Sequence, residues 1–162
     1  MNFMAEAKAY EGEMRAFFED LHRHPEPSHF EKRTNTRVRE QLAAHGIEML
    51  CPADNITIAV IHGARPGKTI GMRFDTDALQ LQELCDVPYK SEQDGLMHGC
   101  GHDAHTTCGV FVSRLLQAHR EEICGTYKVI FQPAEEGVRG AQSIAEGGIL
   151  DDVDYLLTGH LG

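Results

Sequence analysis

One nine-residue segment of this chain concentrates side chains that bind metal ions. Residues 97–105 include a thiol, three imidazoles and a carboxylate, together with two glycines. Thiolate sulfur, neutral imidazole nitrogen and carboxylate oxygen are the atoms with which proteins hold divalent transition metals. Cys100 and His102 are two residues apart, and the glycines beside Cys100 allow the backbone to bend so that both side chains face one ion. We therefore predict that Cys100 and His102 are metal ligands.

A glutamate pair and a later histidine extend this candidate site. Glu135 and Glu136 come directly after a predicted strand, and Pro133 indicates a corner between that strand and a helix. An isolated pair of glutamates is usually a solvated pair at a helix start, where the helix dipole favours carboxylates. Beside the first cluster, one carboxylate can hold a metal ion while the other carries protons. We include both glutamates and His160 in the predicted site.

The sequence leaves the roles of the neighbouring polar residues open. Asp75 and Asp77 follow another predicted strand, where Asp75 either orients the metal site or, like Asp77, satisfies the amides of a turn. Asp103, His98 and His105 are suited to hydrogen-bond the ligating side chains, which usually need such partners. His105 could alternatively be a ligand itself, because helical spacing would bring it beside the first histidine ligand.

A cysteine nucleophile is the alternative chemistry for this cluster. Cys100 would then need a histidine that accepts its proton. His102 is too near in sequence to be a convincing base, although His160 could serve. This alternative leaves the two adjacent glutamates without a function, so we prefer the metal site.

The composition limits the classes of partner. The 162 residues correspond to about one domain. The formal net charge of −10 argues against nucleic acid and anionic membrane surfaces as partners. The chain also has no run of about 18 apolar residues that could span a membrane. Five scattered cysteines do not form a disulfide framework, so we expect a cytoplasmic protein.

Alternating helical and strand patterns predict a three-layer α/β/α sheet. In such sheets ligands gather at the carboxyl ends of strands, where the candidate residues fall. A Ser28–Glu31 capping box is expected to begin the second helix. The predicted elements are a helix over the first twenty-odd residues, a helix from 28 to 46, strands at 56–61 and 69–74, a loop over 75–103, a helix around 108–116, a strand at 126–131, a helix at 139–147 and a strand at 155–158.

Five segments of the chain together form a specific pattern: residues 21–26, 73–79, 97–105, 131–137 and 159–160. In this order they resemble the dinuclear metal-dependent amidohydrolase and peptidase family. That family includes aminoacylases, hippurate hydrolases, auxin-conjugate hydrolases and aminobenzoyl-glutamate hydrolase. The resemblance implies a zinc-peptidase-like catalytic domain, two divalent metal ions (Zn²⁺ or Mn²⁺) and a small N-acyl amino acid-type substrate.

The resemblance also implies a role for each candidate residue. Glu135 would be the general base, and Asp75 would be the carboxylate beside the metal site. The hydrolysed bond would be the amide of an N-acyl amino acid or a related conjugate. The implied metal ligands are Cys100, His102, Glu136 and His160.

The chain departs from the family pattern in two places. Phe18 and Glu19 stand where paired arginines are usual. The inserted lid domain and a late histidine ligand of full-length relatives are absent, so residues 1–162 are expected to be the N-terminal part of a catalytic domain. A full-length form could be a homo-oligomer. The family resemblance implies an enzyme, but the 162-residue fragment alone is expected to show little or no amidase activity. Two alternatives stay open: a catalytically inactive remnant that at most binds metal, and aminobenzoyl-glutamate hydrolase-type specificity. Gly140-Ala141 and residues 151–155 are similar to the latter.

Overall fold

The computed structural model describes residues 2–137 and 139–160. No helix in these two ranges has the length and apolar character needed to cross a bilayer. The elements, in chain order, are α1 (Phe3–Ala9), α2 (Glu11–Arg23), α3 (Lys32–Ala44), β1 (Glu48–Ala53), β2 (Ile56–His62), β3 (Arg65–Asp75), α4 (His102–Ala118), β4 (Cys124–Gln132), α5 (Gly140–Glu146) and β5 (Tyr155–Thr158).

The strands form one mixed sheet in the order β1-β2-β4-β3-β5. The β1–β2 and β2–β4 pairs are antiparallel, whereas β3 runs parallel to both β4 and β5. The carboxyl ends of β3, β4 and β5 therefore meet at one edge of the sheet. The register places Asp75 opposite Gln132 at this edge, and Thr158 opposite Arg73.

Strand alternation divides the core between the two faces of the sheet. Ala59 and Ile61 of β2 belong to the apolar cluster that includes residues of α2, α3 and α4. Ile58 and Val60, which alternate with them, pack with Ile144 of α5 on the opposite face. Because side chains of a strand alternate in direction, one strand can serve both faces. The predicted three-layer α/β/α arrangement is confirmed.

Two elements differ from the sequence-based expectation. The single amphipathic helix expected at the start is two helices that meet at Tyr10, whose backbone closes α1 and begins α2. The strand β1 was not predicted because it contains Pro52 and is mostly exposed, so it lacks the buried alternation of a recognisable strand. Such a sequence suits a strand at the edge of a sheet, which is where β1 lies.

The predicted capping box at the start of α3 is wrong. The Glu31 side chain makes no cap hydrogen bond to the helix. The Glu26 carboxylate accepts the Arg33 and Thr34 amides instead, at 2.8 and 2.7 Å. The side chains of Ser28 and Glu31 therefore hydrogen-bond groups outside the helix, and both contact residues near the candidate site.

The predicted loop between β3 and α4 folds back over the sheet edge. Leu79 and Met97 form an antiparallel bridge that closes the loop upon itself. Gly101 ends it in a left-handed conformation, with φ of 79°, immediately before α4 begins at His102. A residue with a side chain adopts that conformation only at a cost, so glycine is suited to the turn that brings His102 to the sheet edge.

Candidate metal centre

His102 lies at the centre of the predicted site. Its side chain is 1 % exposed, and its Nε2 atom lies 3.3 Å from Nε2 of His160. The same atom is 3.7 Å from carboxylate oxygens of both Asp75 and Glu135, and 3.9 Å from Oε1 of Glu136. One buried nitrogen is thus surrounded by four of the other predicted site residues.

The two ring nitrogens of His102 have different surroundings. Nδ1 lies 2.8 Å from the backbone carbonyl oxygen of Asp77. A carbonyl oxygen only accepts hydrogen bonds, so Nδ1 carries the hydrogen and donates it. In the neutral ring this leaves the lone pair on Nε2, which is the arrangement of a histidine that ligates a metal.

Cys100 and His160 complete one group of possible ligands. Sγ of Cys100 lies 3.6 Å from Nε2 of His160. The potential ligand atoms of Cys100, His102 and His160 all lie within 4.8 Å of one another. Cys100 is half-buried in the loop before α4, whereas His160 is exposed just after β5. His160 is 60 positions from Cys100 and 58 positions from His102 in the chain. The three residues meet because parallel strands end at a common edge.

Asp75, His102 and Glu135 form a second group within the same 4.8 Å limit. Glu136, which the family resemblance implies to be a ligand, lies only slightly farther from His102 than Glu135 does, at 3.9 against 3.7 Å. This difference is too small to separate the two glutamates by distance. Their surroundings differ more, because only Glu135 lies near the guanidinium of Arg73, at 4.0 Å.

Asp75 is fully buried and held by two basic side chains. The His105 ring hydrogen-bonds its Oδ1 atom, and the Arg73 guanidinium lies 2.9 Å from Oδ2. Burial alone would raise the pKa of Asp75, but the hydrogen bond from His105 and the nearby positive groups outweigh it and lower this pKa. His105 therefore contacts Asp75 rather than the group around Cys100, in agreement with a supporting role.

Asp77 holds both the histidine and the glutamate pair. Its Oδ1 and Oδ2 atoms each accept one backbone amide, from Glu135 and Glu136 respectively, at 3.0 Å. Oδ1 is also 3.3 Å from Nδ1 of His102, and Ser28 donates to Oδ2 at 2.6 Å. Burial opposes ionisation of Asp77, yet these contacts keep its pKa well below the ordinary range. Asp77 satisfies amides as a turn carboxylate would, but the amides belong to the site.

A buried histidine supports the start of α4. His22 of α2 lies between two carboxylates, with Nδ1 2.6 Å from Asp103 and Nε2 3.2 Å from Glu83. The hydrogen bond to Asp103 outweighs burial and raises the pKa of His22. The expected supporting role of Asp103 is thus directed to His22. His98 is buried, and its ring nitrogens have no hydrogen-bond partner among residues 2–137 and 139–160.

The donor set fits a divalent cation. Oε1 of Glu136 is buried and has no hydrogen-bond partner among the described residues, so it is available to a cation. Burial raises the pKa of the Cys100 thiol to about 11, and the Glu136 carboxylate acts in the same direction. A bound cation would stabilise this arrangement of one thiol and three carboxylates beside two imidazoles. The mixture of sulfur, nitrogen and oxygen donors suits a transition metal.

Sequence reasoning missed three residues that organise the site. Arg73 was part of a matching segment, but its contacts with Asp75 and Glu135 were not anticipated. Strand alternation offered a signal, because residues two apart in a strand share a face. His22 also lies in a matching segment, but its partner is 81 positions away. Glu31 offered no signal, since its partner Ala134 is 103 positions away.

Comparisons with known proteins agree with this geometry. Residues 71–162 match the sequence profile of peptidase family M20/M25/M40. N-acetylcysteine deacetylase of Bacillus subtilis is 42 % identical over 143 residues, which are 87 % of this chain and 38 % of that protein. A p-aminobenzoyl-glutamate hydrolase homolog of Haemophilus influenzae is 43 % identical over 111 residues, covering 64 % of this chain and 26 % of that protein.

A solved structure extends the similarity to the fold. A dinuclear metal binding peptidase of the M20 family from Bacillus subtilis superposes with a TM-score of 0.92 at 39 % identity. The match covers 96 % of this chain and 44 % of that one. The chain therefore spans less than half the length of each of these three proteins.

Proposed function

Because this chain belongs to peptidase family M20/M25/M40, we propose that it builds the water-activating metal centre of an amide hydrolase. The substrates are small N-acyl amino acids or related conjugates. Cys100, His102, Glu136 and His160 would hold two divalent ions, Zn²⁺ or Mn²⁺, with Asp75 beside them. The observation that carries this proposal is the convergence on Nε2 of His102, which has Asp75, Glu135, Glu136 and His160 within 3.9 Å.

Glu135 has the surroundings of a general base. Its side chain is 34 % exposed, so substrate and water can reach it, whereas that of Asp75 is fully buried. Divalent ions at such a site activate water and polarise the amide carbonyl. Glu135 accepts the proton of the attacking water and delivers it to the departing amine nitrogen. The Arg73 guanidinium lies 4.0 Å from Oε1 of Glu135.

A cavity beside Glu135 suits an anionic substrate. It has a volume of about 410 Å³, and its lining includes Arg73, Arg139 and Gln132. Arginine side chains match carboxylate groups in shape and charge. N-acyl amino acids carry a carboxylate next to the scissile amide, and p-aminobenzoyl-glutamate carries two. This chemistry, with the similarity to the Haemophilus influenzae protein, supports aminobenzoyl-glutamate as a candidate substrate.

The surroundings of Cys100 disfavour a cysteine nucleophile. A nucleophilic cysteine requires an environment that stabilises its thiolate, such as neighbouring positive charge. Cys100 instead lies in a cluster that includes Asp75, Glu135 and Glu136. A thiolate there is favoured only when a cation binds, which is the condition of a metal ligand.

Two glutamine substitutions test the proposal. Glu135→Gln should retain Zn²⁺ and lose hydrolysis of N-acetyl amino acids and p-aminobenzoyl-glutamate, because only the proton acceptor is removed. Glu136→Gln should weaken Zn²⁺ binding as well. Calorimetry measures metal affinity, and amine release measures turnover. Near-normal turnover of Glu135→Gln would exclude Glu135 as the base, and metal binding without turnover in the parent would support the inactive remnant.

A further inference from the structure

Two buried carboxylates hold three successive backbone amides at the glutamate pair. The Ala134 amide donates to Oε1 of Glu31 at 2.7 Å. The next two amides, those of Glu135 and Glu136, donate to Asp77 at 3.0 Å each. The backbone of this turn is therefore anchored from beneath, while the two glutamate side chains stay directed towards His102.

The turn has a conformation that requires such an anchor. Ala134 has φ of 50°, in the left-handed region, which is strained for a residue with a side chain. Gly140 packs behind the turn so closely that a Cβ atom there would lie 1.7 Å from the Pro133 carbonyl oxygen. Strained backbone of this kind persists only when surrounding contacts hold it.

Glu31 is unusual for a carboxylate because it is fully buried and pairs with no cationic side chain among residues 2–137 and 139–160. Burial raises the pKa of its carboxyl group, although both carboxyl oxygens accept hydrogen bonds from neutral N–H donors. Oε1 accepts the amides of His29 and Ala134, at 3.0 and 2.7 Å. Oε2 accepts from Nδ2 of Asn55, in the turn between β1 and β2, at 3.1 Å. Both oxygens are thus occupied by distant parts of the chain, and neither contacts the predicted metal ligands.

We propose that Glu31 is a positioning residue that sets the placement of the Glu135 carboxylate for proton transfer. This inference rests on the proposed role of Glu135 as general base. Without the Glu31 acceptor, the Ala134 amide is buried and unpaired, and the strained turn relaxes. Glu135 then leaves its position 3.7 Å from His102. A displacement of about 1 Å at a reacting group can cost about 100-fold in rate.

The variants separate positioning from stability. Glu31→Ala removes the acceptor. Glu31→Gln keeps an oxygen for Ala134 but sets its amide group against the amide group of Asn55. The double variant Glu31→Gln/Asn55→Asp restores a matched donor and acceptor without the original charge placement. The control is Glu26→Ala, which removes another carboxylate that accepts two backbone amides on the same segment but does not contact the turn.

In the Zn²⁺-loaded protein, kcat for N-acetyl amino acids and p-aminobenzoyl-glutamate should fall about 10- to 100-fold in Glu31→Ala. KM and Zn²⁺ affinity should stay within about threefold, because Glu136, the proposed ligand in this turn, is one residue farther from Ala134 than Glu135 is and its amide keeps its acceptor on Asp77. The double variant should exceed Glu31→Gln in kcat. Glu26→Ala should lower the unfolding temperature and leave kcat within about twofold. If Glu31→Ala does not fold, the comparison of Glu31→Gln with the double variant decides.

Several results would overturn the inference. These are a folded Glu31→Ala with parental kcat, a double variant no faster than Glu31→Gln, or a loss of kcat in Glu26→Ala equal to that in Glu31→Ala. Crystal structures of the parent and Glu31→Gln give a readout that needs no turnover. A shifted Glu135 supports the inference, and an unmoved turn contradicts it. A parent that binds Zn²⁺ but hydrolyses no amide would refute the proposed function alone, and the crystal structures would still judge Glu31.

Discussion

At the scale of single residues, the two polar atoms of one side chain make different contacts in the site. His102 donates from Nδ1 to the Asp77 carbonyl and directs Nε2 to the other site residues. Asp77 divides its two carboxylate oxygens between consecutive amides. A ligand fixed in this way loses little conformational freedom when it binds a metal ion. Supporting contacts should therefore contribute measurably to metal affinity.

Asp77→Asn tests this supporting contact. Asparagine keeps the backbone carbonyl that accepts from His102, and it keeps one side-chain acceptor oxygen. It places an amide group against one of the two backbone N–H groups, so the glutamate turn beside His102 loses one of its two anchors at Asp77. We expect Zn²⁺ affinity, measured by calorimetry, to fall about 10- to 100-fold. The matched control is Asp54→Asn, which changes an exposed aspartate paired with Lys32 at 2.9 Å and should bind Zn²⁺ as the parent does. Equal affinities of the two variants would contradict the role of Asp77.

At the scale of elements, close packing holds α4 against the sheet, and charge pairs join α2 to α3. Gly109 of α4 lies so near the sheet that a Cβ atom would be 2.8 Å from Phe131 and 2.9 Å from Phe74. The helix that begins with His102 is thus fixed at van der Waals distance over β3 and β4. On the outer side, Asp20 of α2 receives hydrogen bonds from Arg33 and Arg37 of α3.

Gly109→Ala should destabilise the protein although alanine favours helices. Alanine gains about 1 kcal/mol in helix propensity over glycine, but overpacking against two rigid rings costs about 1–3 kcal/mol. Urea unfolding should therefore show a net loss. Gly12→Ala, in α2, is the control, because a Cβ atom there meets nothing within 4 Å. It should raise the free energy of unfolding by about 0.5–1 kcal/mol. The same sign for both variants would refute the packing argument.

The ion pairs of Asp20 with Arg33 and Arg37 should contribute stability that depends on pH. Burial opposes ionisation of Asp20, but the hydrogen bonds from Arg33 and Arg37 prevail and lower its pKa below the ordinary value. A carboxyl group whose pKa is lower in the folded protein than in the unfolded chain stabilises the fold fully above its unfolded pKa. This contribution is lost as the pH falls through its folded pKa. Relative to Asp20→Asn, the parent should be more stable by about 1 kcal/mol near pH 6. Urea unfolding should show this difference shrinking below about pH 4.

A difference between the parent and Asp20→Asn that grows on acidification would contradict this prediction. The control Asp86→Asn changes an exposed aspartate in the loop before α4. It should remain within about 0.5 kcal/mol of the parent.

At the scale of the whole molecule, local patterns predicted more than long-range contacts did. Runs of strand-forming residues predicted β2 and β4, and helical spacing predicted the helices that complete the three layers, because burial selects such patterns in the sequence. The dense cluster around Cys100 indicated the candidate site, because its residues are close together in the sequence. The edge strand β1 was missed because exposure removes the pattern. The contacts of Glu31 and Asp77 could not be predicted, because they join a side chain to backbone amides 58 to 103 residues away, whose positions only the complete fold determines.

The exposed strand β5 should promote self-association. It lies at the sheet edge and exposes Tyr155, Leu156 and Leu157 by 54–60 %. Unpaired edges with apolar side chains tend to pair with other chains. Leu157→Lys should therefore shift sedimentation velocity profiles of the 162-residue chain towards monomer. Met4→Lys makes the same change at an exposed residue of α1 and should have no effect. Equal profiles for the parent and Leu157→Lys would contradict the prediction.

The long-range contacts behind the site also have a consequence for the order of folding. His22 meets Asp103 across 81 residues, and Glu31 meets Ala134 across 103. Contacts of such separation form only after large loops have closed, which slows folding and places these contacts late. The nascent chain therefore has scattered donors rather than an assembled site, and the proposed centre would gain high affinity for a divalent cation only when the N-terminal helices have docked on the sheet. Metal binding at the proposed centre would then follow completion of the fold, and an incompletely folded chain would compete poorly for the metal ion.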